Sequence, residues 1–382
     1  MRFVIWLFLL FGISSCLPSV EQREEVINKT DADKSIKTLE PGKGYEFAGN
    51  GKTNKHPHFD SLYRKTTLRD TFDFSLSEAL IIGLNDQLTI LKGSRKVYPD
   101  YGNLPISKTK LRETIRLLTT NPNDLSDFEL FQICGEDSLG NMHFTGYFTP
   151  ILNVKREADS TFRYPLYKKP VDWQGPLPTR EEIDGNGVLK GKNLELAWTD
   201  DLLAIFFMQV QGSGMVQFPD GKRTLFSYGG GNDHKYRSLG KYLVFHEHIS
   251  PEQISLESIR DWFFHNPDSL PQTLFYNPSY IFFRASNKQP SGSGAVPLLA
   301  GHSVAVDPKF IPYGSVLLGK IPVLDKNGKL ERHEYRILLP QDTGGAIKGP
   351  GHIDLYMGIG KGGEALASAM HHYGEIYLIL AP

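Results

Sequence analysis

Hydrophobic and polar positions change rhythm several times along the 382-residue chain. Phe3 to Ile13 is a continuous apolar run behind one basic residue, Arg2, and leads into Ser14, Ser15 and Cys16. A run this short predicts a signal peptide over residues 1–15 rather than a spanning helix. Residues 17–60 are rich in Glu, Lys, Asp, Asn and Gly and poor in large apolar side chains, the composition of a flexible tether. From Ser75 the spacing becomes helical. Ser75 with Glu78 reads as a capping box, and Leu80, Ile81, Leu84, Leu88 and Leu91 follow it. Leu111, Ile115 and Leu118 mark a second helix. Ser126 with Glu129 predicts a third, short one carrying Phe128, Phe131 and Ile133, with Cys134 in the same pattern.

From Phe144 to about Arg284 the pattern turns mostly to strands. FTGYFTPIL, LLAIFFMQVQGSG and TLFYNPSYIFFR are aromatic and branched runs broken by Pro, Gly and Asn, and helical spacing is confined mainly to about 236–248 and 256–265. Glycine and serine at 291–294 predict a mobile loop or hinge. Short strands then recur in HSVAVD, SVLLGKI, YRILLP, IDLYMG and EIYLIL, with one helical insertion at Glu364–His372. That sequence of short strands suggests a small closed barrel more than a sandwich.

Composition narrows the partners. The chain has 40% hydrophobic and 22% charged residues, enough for two domains with cores of their own. With 42 basic against 43 acidic residues, no broad positive field exists to hold nucleic acid. Cys134 is the only cysteine besides Cys16, so a site of several thiolates is excluded. The Ile13-Ser14-Ser15-Cys16 ending resembles a bacterial lipobox, which implies cleavage before Cys16 and a lipid on it. Leu17 resembles a residue that sorts such proteins to the outer membrane.

The richest chemistry lies in QDTGGAIKGPGHIDLYMGIGKGG, residues 341–363. Gly358 to Gly363 formally matches a dinucleotide loop, but no second parallel strand and acidic residue have room to follow, and no Ser or Thr follows Lys361 as a P-loop needs. Asp342, His352, Asp354 and His371 or His372 lack the spacing of a metal set, and the adjacent histidines read as helix-end surface residues. Neither metal nor cofactor is called for. Paired carboxylates fit better, since cleaving a glycosidic bond needs an acid and often a second carboxylate. Asp354, between Ile353 and Leu355-Tyr356, has the apolar setting that keeps a carboxyl protonated. Asp342 and Asp307 sit in turn-forming sequences and read equally as structural acceptors.

GHSVAVDPKFIPYGSVLL and QDTGGAIKGPGHID together resemble the domain named for its three aspartates, here Asp307, Asp342 and Asp354. GYFTPIL, WTDDLLAIFFMQVQGSGMVQFPDG and YRSLGKYL resemble the membrane-bound lytic murein transglycosylase A family, in the same order and from about residue 140 onward. The resemblance implies a mainly β, α+β protein. A double-psi β-barrel domain with helices (61–151 plus 286–382) would carry a second, smaller β-barrel-like domain (152–285) forming the other wall of a glycan groove. It also implies cleavage of the bond between N-acetylmuramic acid and N-acetylglucosamine in peptidoglycan, with 1,6-anhydromuramyl ends formed by one aspartate, matching Asp354, as acid and then base.

Asp342 and Lys348 are supporting candidates. Gln209, Gln211 and Ser213, taken at strand spacing, would offer polar groups on one face. Tyr147 and Thr149 do the same in GYFTP, though Tyr147 suits barrel packing equally. The setting implied is the periplasmic face of the outer membrane, with cell-wall synthesis or scaffold proteins as candidate partners. Two alternatives stay open: a hydrolase using water with Asp342 as base, and a non-catalytic glycan-binding lipoprotein.

Overall fold

The computed structural model describes residues 62–68, 75–93, 100–121, 124–135, 140–250, 253–325, 328–345 and 347–382. The predicted signal peptide, the tether and Cys16 lie outside the described residues.

The chain opens with strand β1 (Tyr63–Thr66) and helix α1 (Glu78–Lys92), then β2 (Asp100–Tyr101), β3 (Leu104–Pro105), α2 (Lys108–Thr120) and β4 (Glu129–Ile133). Next come β5 (Met142–Thr149), β6 (Ile151–Asn153), β7 (Tyr164–Tyr167), β8 (Glu195–Thr199), α3 (Leu202–Gln211), β9 (Gly214–Gln217) and β10 (Arg223–Gly231). Helices α4 (Leu239–Phe245), α5 (Leu256–His265) and α6 (Leu270–Phe275) lead to β11 (Ile281–Ser286). The remainder is β12 (Ser303–Ala305), β13 (Val316–Leu324), β14 (Leu330–Asp342), β15 (His352–Ile359), α7 (Gly360–Ala369) and β16 (His371–Leu380). The fold is mixed α+β and mostly sheet.

Two compact units divide the chain. One comprises Phe148–Pro290 with Ile359–Glu364; the other holds the described residues up to Tyr147, Ser291–Gly358 and Ala365–Pro382.

The second unit is built on an eight-stranded sheet in the order β1-β4-β16-β13-β14-β12-β15-β5. Since β16 pairs with β5 as well, the six strands from β16 through β13, β14, β12 and β15 to β5 form a closed ring. The short β12 sets the direction of the centre, pairing parallel with β14 and antiparallel with β15. Its buried Val304 joins Leu317, Leu338, Leu339, Leu355 and Ile379 in one apolar core. Helix α1 adds Leu80, Leu84 and Leu91 to that core, four and then seven residues apart, and α2 adds Leu111, Ile115 and Leu118. The N-cap of α1 is Ser77, whose side chain accepts from Leu80 N–H, two residues past the predicted Ser75.

Three expectations are corrected here. Residues 129–133 form a strand, because Asp124 captures the N–H and hydroxyl of Ser126 in a local turn that leaves Ser126 no helix to cap. Cys134 follows that strand, buried, and pairs its backbone N–H with Leu62 O. The glycine-serine stretch at 291–294 is no hinge. Gly294 N–H donates to Gln341 O, and a Cβ on Gly292 would lie 2.5 Å from the same oxygen, so these glycines are required by close packing on β14.

The first unit has a four-stranded sheet, β11-β10-β9-β6, and a two-stranded one, β7-β8. Leu152, Val216, Phe226, Ile281 and Phe283 make its core together with Ile205 and Met208 of α3. The LLAIFFMQVQ run of α3 was expected as strand. It is a helix buried on nearly every side, capped by the Asp201 side chain on Ala204 N–H and closed by Gly212 at φ +78°. Arg180 is fully enclosed in this unit. Its guanidinium donates to Asn277 O and Ser279 O, lies 3.4 Å from the Asp184 carboxylate, and sits between the Phe206 and Tyr280 rings.

Candidate active site

In the ring-shaped unit, Ala305 on β12 pairs on one side with Asp342, the last residue of β14, and on the other with Asp354 on β15. Residues in register share a face, so both carboxyls flank Ala305 with their backbones about 10 Å apart, two strand spacings. Both are buried, Asp354 completely.

β5 supplies a hydroxyl to each. Thr145 and Tyr147, two residues apart, face the same way. Thr145 Oγ1 lies 3.0 Å from Asp354 Oδ1, and Tyr147 O–H donates to Asp342 Oδ2 at 3.3 Å. Burial first, then the charges of Asp342 and Asp354, push the Tyr147 phenol well above its ordinary value, so it remains a donor.

The environments of the carboxyls differ. Asp342 Oδ1 accepts the backbone N–H of Ser293 at 2.7 Å and of Thr343 at 2.9 Å. Two backbone donors on one oxygen and the Tyr147 hydroxyl on the other suit a fixed negative charge. Asp354, completely buried, instead shares its face of β15 with His352 and Tyr356 while Ile353 and Leu355 turn into the apolar core, and burial favours the neutral form of a carboxyl.

A histidine cluster lies behind Asp354. His352 Nε2 is 3.0 Å from Thr145 Oγ1, the His143 and His352 rings stack at 5.0 Å, and His143 Nε2 lies 3.0 Å from His371 Nδ1. Burial, reinforced by the neighbouring imidazole of His371, pushes His352 down to about 4. Burial and the three histidines His352, His371 and His372 hold His143 well below its ordinary value. The cluster is neutral at pH 7. His371 and His372, expected at a helix end, open β16 instead and therefore diverge: one meets His143, the other Gly328 O.

The other predicted residues are placed as follows. Asp307 accepts Lys309 N–H and Gly349 N–H, so it ties the 343–351 loop to the end of β12. Lys348 is exposed on that loop. Thr149, at the end of β5, is buried. Gln209, Gln211 and Ser213 belong to the other unit. Because α3 is a helix, Gln209 and Gln211 project about 200° apart rather than sharing a face. Gln209 is buried, donates to Ile281 O, and borders a pocket of about 10 Å³ beside Arg180, Tyr236 and Asn277. Gln211 and Ser213 are half-buried. Gly358 to Gly363 ends β15 and begins α7, with Gly358 at φ +100° and Gly360 at φ +73°.

Thr145, His143 and Ser293 were not anticipated, and His352 was weighed only as a metal ligand. A signal existed for three of them. His143-Thr145-Tyr147 and His352-Asp354-Tyr356 are two triplets of alternating polar and aromatic residues at strand spacing, which is the mark of one functional face.

The MltA specific insert domain matches residues 143–284, and the 3D domain matches residues 302–380. Membrane-bound lytic murein transglycosylase A of Escherichia coli (strain K12) is 40% identical over 255 residues, 66% of this chain and 69% of the relative. The Vibrio cholerae protein of the same name is 38% identical over 267 residues, covering 68% and 72%. The crystal structure of E. coli MltA with bound chitohexaose superposes with a TM-score of 0.69 at 31% identity, over 87% of this chain and 98% of that one. The membrane-bound lytic murein transglycosylase from Agrobacterium tumefaciens gives 0.68 at 26% identity, over 84% and 97%. With all three aspartates and five of the six ring strands inside the 3D match, and the inserted sheet, but for the end of β11, inside the other, this chain belongs to the membrane-bound lytic murein transglycosylase A family.

Proposed function

We propose that Asp354 is the single acid and base of this chain's reaction. The chain is a lytic transglycosylase acting on peptidoglycan, a lyase of polysaccharide rather than a hydrolase. In the first half of the reaction, protonated Asp354 gives its proton to the glycosidic oxygen as the bond to the muramyl C1 breaks. In the second, the muramyl C6 hydroxyl attacks C1 while the Asp354 carboxylate takes its proton. A 1,6-anhydro ring forms, the proton count of the enzyme is restored, and no water is consumed. Because the nucleophile already belongs to the sugar, proximity replaces both water and a second enzyme carboxylate.

The observation that supports this assignment is the unequal environment of the two carboxyls. Asp342 is engaged by Ser293 N–H, Thr343 N–H and Tyr147 O–H, and so is committed as a fixed charge beside developing oxocarbenium character. That leaves Asp354, enclosed and beside a hydroxyl, for proton transfer. Asp354→Asn abolishes anhydromuropeptide formation from purified sacculi, measured by mass spectrometry, while the near-UV circular dichroism of the protein is unchanged. Anhydro products from that variant would remove Asp354 from the role.

Glycan contacts are assigned to Tyr147, Thr149 and Lys348 and, in the inserted unit, to Gln209, Gln211 and Ser213; Asp307 acts by holding the loop that carries Lys348. The domain limits 61–151 plus 286–382 and 152–285 are part of the same reading. The chain is membrane-associated, in keeping with its membrane-bound relatives, and among the described residues no helix is long and apolar enough to cross a membrane. A lipid on Cys16, at the periplasmic face of the outer membrane, is the proposed anchor. Cys16→Ser together with removal of residues 1–15 would release the protein to the soluble fraction; continued sedimentation with membranes would refute the anchor.

A further inference from the structure

The Thr145 hydroxyl has one hydrogen and two polar neighbours at 3.0 Å, Asp354 Oδ1 and His352 Nε2, with the Ile353 carbonyl oxygen further off at 3.5 Å. It therefore donates to one and accepts from the other. An ionised Asp354 only accepts, so when the carboxylate is present Thr145 donates to it and His352 must donate to Thr145 through an Nε2–H. The opposite tautomer would set a single hydroxyl hydrogen between two buried acceptors and leave one unsatisfied. A change of tautomer between the halves of the reaction would require one proton to leave Nε2 and another to reach Nδ1, so the same direction holds throughout.

We propose that His352 and Thr145 determine which oxygen of Asp354 carries the catalytic proton: His352 Nε2–H donates to Thr145, Thr145 O–H donates to Asp354 Oδ1, and the proton is thereby held on Oδ2. This rests on Asp354 being the acid and base. Both are positioning residues. With the chain reversed, the acid hydrogen would point from Oδ1 into Thr145 and be turned away from the glycosidic oxygen.

The surroundings keep His352 neutral, as a one-hydrogen donor. His143 of β5 stacks on it, His371 of β16 stands next to His143, and burial together with His371 pushes His352 down to about 4. The other titratable groups facing this chain are Tyr147 of β5, Tyr356 of β15, Asp342 of β14, and Tyr373 and His372 of β16 beside His143. The ladder His143 with His352, Thr145 with Asp354 and Tyr147 with Tyr356 orders these six residues along β5 and β15.

The test compares Thr145→Val, which keeps shape and loses the hydroxyl, with Thr145→Ser, and His352→Leu with His352→Gln, using soluble glycan strands and anhydro product as the readout. Thr145→Val lowers kcat about 10- to 100-fold with KM within about twofold, and moves the basic limb of the pH profile up by about one unit, since the carboxylate has lost a donor. Thr145→Ser and His352→Gln restore both features, and His352→Leu does not. ¹⁵N NMR of the histidines in the full unmodified protein at pH 7 shows the Nε2–H tautomer for the signal that His352→Gln removes.

An Nδ1–H tautomer overturns the proposal, as does a Thr145→Val enzyme with wild-type kcat and pH profile. If Thr145→Val fails to fold, the tautomer measurement decides. Asp354→Asn separates the two levels: residual anhydro product from it defeats the assignment of Asp354 itself, whereas a dead Asp354→Asn beside an unaffected Thr145→Val defeats only the hydrogen-bond chain.

Discussion

Gly292 gives the sharpest test of how Asp342 is held. A Cβ at this position would lie 2.5 Å from Gln341 O and 2.8 Å from Asp342 Cβ, and the first of these is buried backbone at the end of β14. Neither can retreat cheaply, so Gly292→Ala pushes the 291–294 segment away from β14. Overpacking of this kind costs about 1–3 kcal/mol. The same movement lengthens the 2.7 Å bond from Ser293 N–H to Asp342 Oδ1, a hydrogen bond to a charged group worth about 1.5–3 kcal/mol. Together they amount to roughly 3–5 kcal/mol, or about 10 °C in the melting temperature at about 2–4 °C per kcal/mol.

Gly362→Ala is the matched control. Its Cβ would meet nothing within 4 Å, and it lies inside α7, where Ala is favoured over Gly by about 0.8–1 kcal/mol. Scanning calorimetry of the two variants should therefore give shifts of opposite sign. A Gly292→Ala protein melting within a degree of wild type would mean that this approach of backbone to β14 is not what keeps Ser293 on Asp342.

Two other outcomes follow from buried groups. His352 is held near 4 by burial and His371, below the ordinary 6.5, so the folded state binds its proton less readily than the unfolded chain does. Stability is complete above about 6.5 and is lost as pH falls toward 4, by on the order of 2–3 kcal/mol from this residue; chemical denaturation at pH 7 and pH 4.5 should show the loss, and His352→Gln should reduce it. In the inserted unit, Arg180→Ala leaves Asp184 buried without its cation, costing about 3–5 kcal/mol, and Arg180→Lys does not rescue it because one ammonium cannot reach Asn277 O, Ser279 O and Asp184 as the guanidinium fork does; thermal melts of both variants check this.

Local signals carried much of the ring-shaped unit. The five short strands after residue 300 were visible because each alternates or runs apolar between turns, and α1, α2 and α5 because their apolar residues recur at three and four. Asp354 stood out by its apolar neighbours in sequence, but on a strand Ile353 and Leu355 turn to the core on the opposite face, and the carboxyl itself meets Thr145. Helix α3 was misread because it is buried nearly all round, and a helix without a polar face has no 3.6-residue contrast to detect. Its ends were nevertheless written in Asp201 and Gly212, a cap and a left-handed stop flanking LLAIFFMQVQ. Thr145 was missed for another reason: its partner is 209 residues further along the chain, and no pattern within either strand states that they meet.

The closure of the ring by β16 also has a temporal meaning. His371 to Gly374 pair with β5 and Val316 to Lys320 with the rest of β16, so residues near 145, 318 and 375 must all be present before the circle exists. The inserted four-stranded sheet, complete once β11 emerges, can assemble earlier on contacts of its own. Thr145 and Asp354 are bonded only across the late-forming part, whose pairings span most of the chain and are slow for that reason. A partly synthesised or truncated chain therefore holds no acid in its working position, and the power to cut the wall arrives in one step with the final strand.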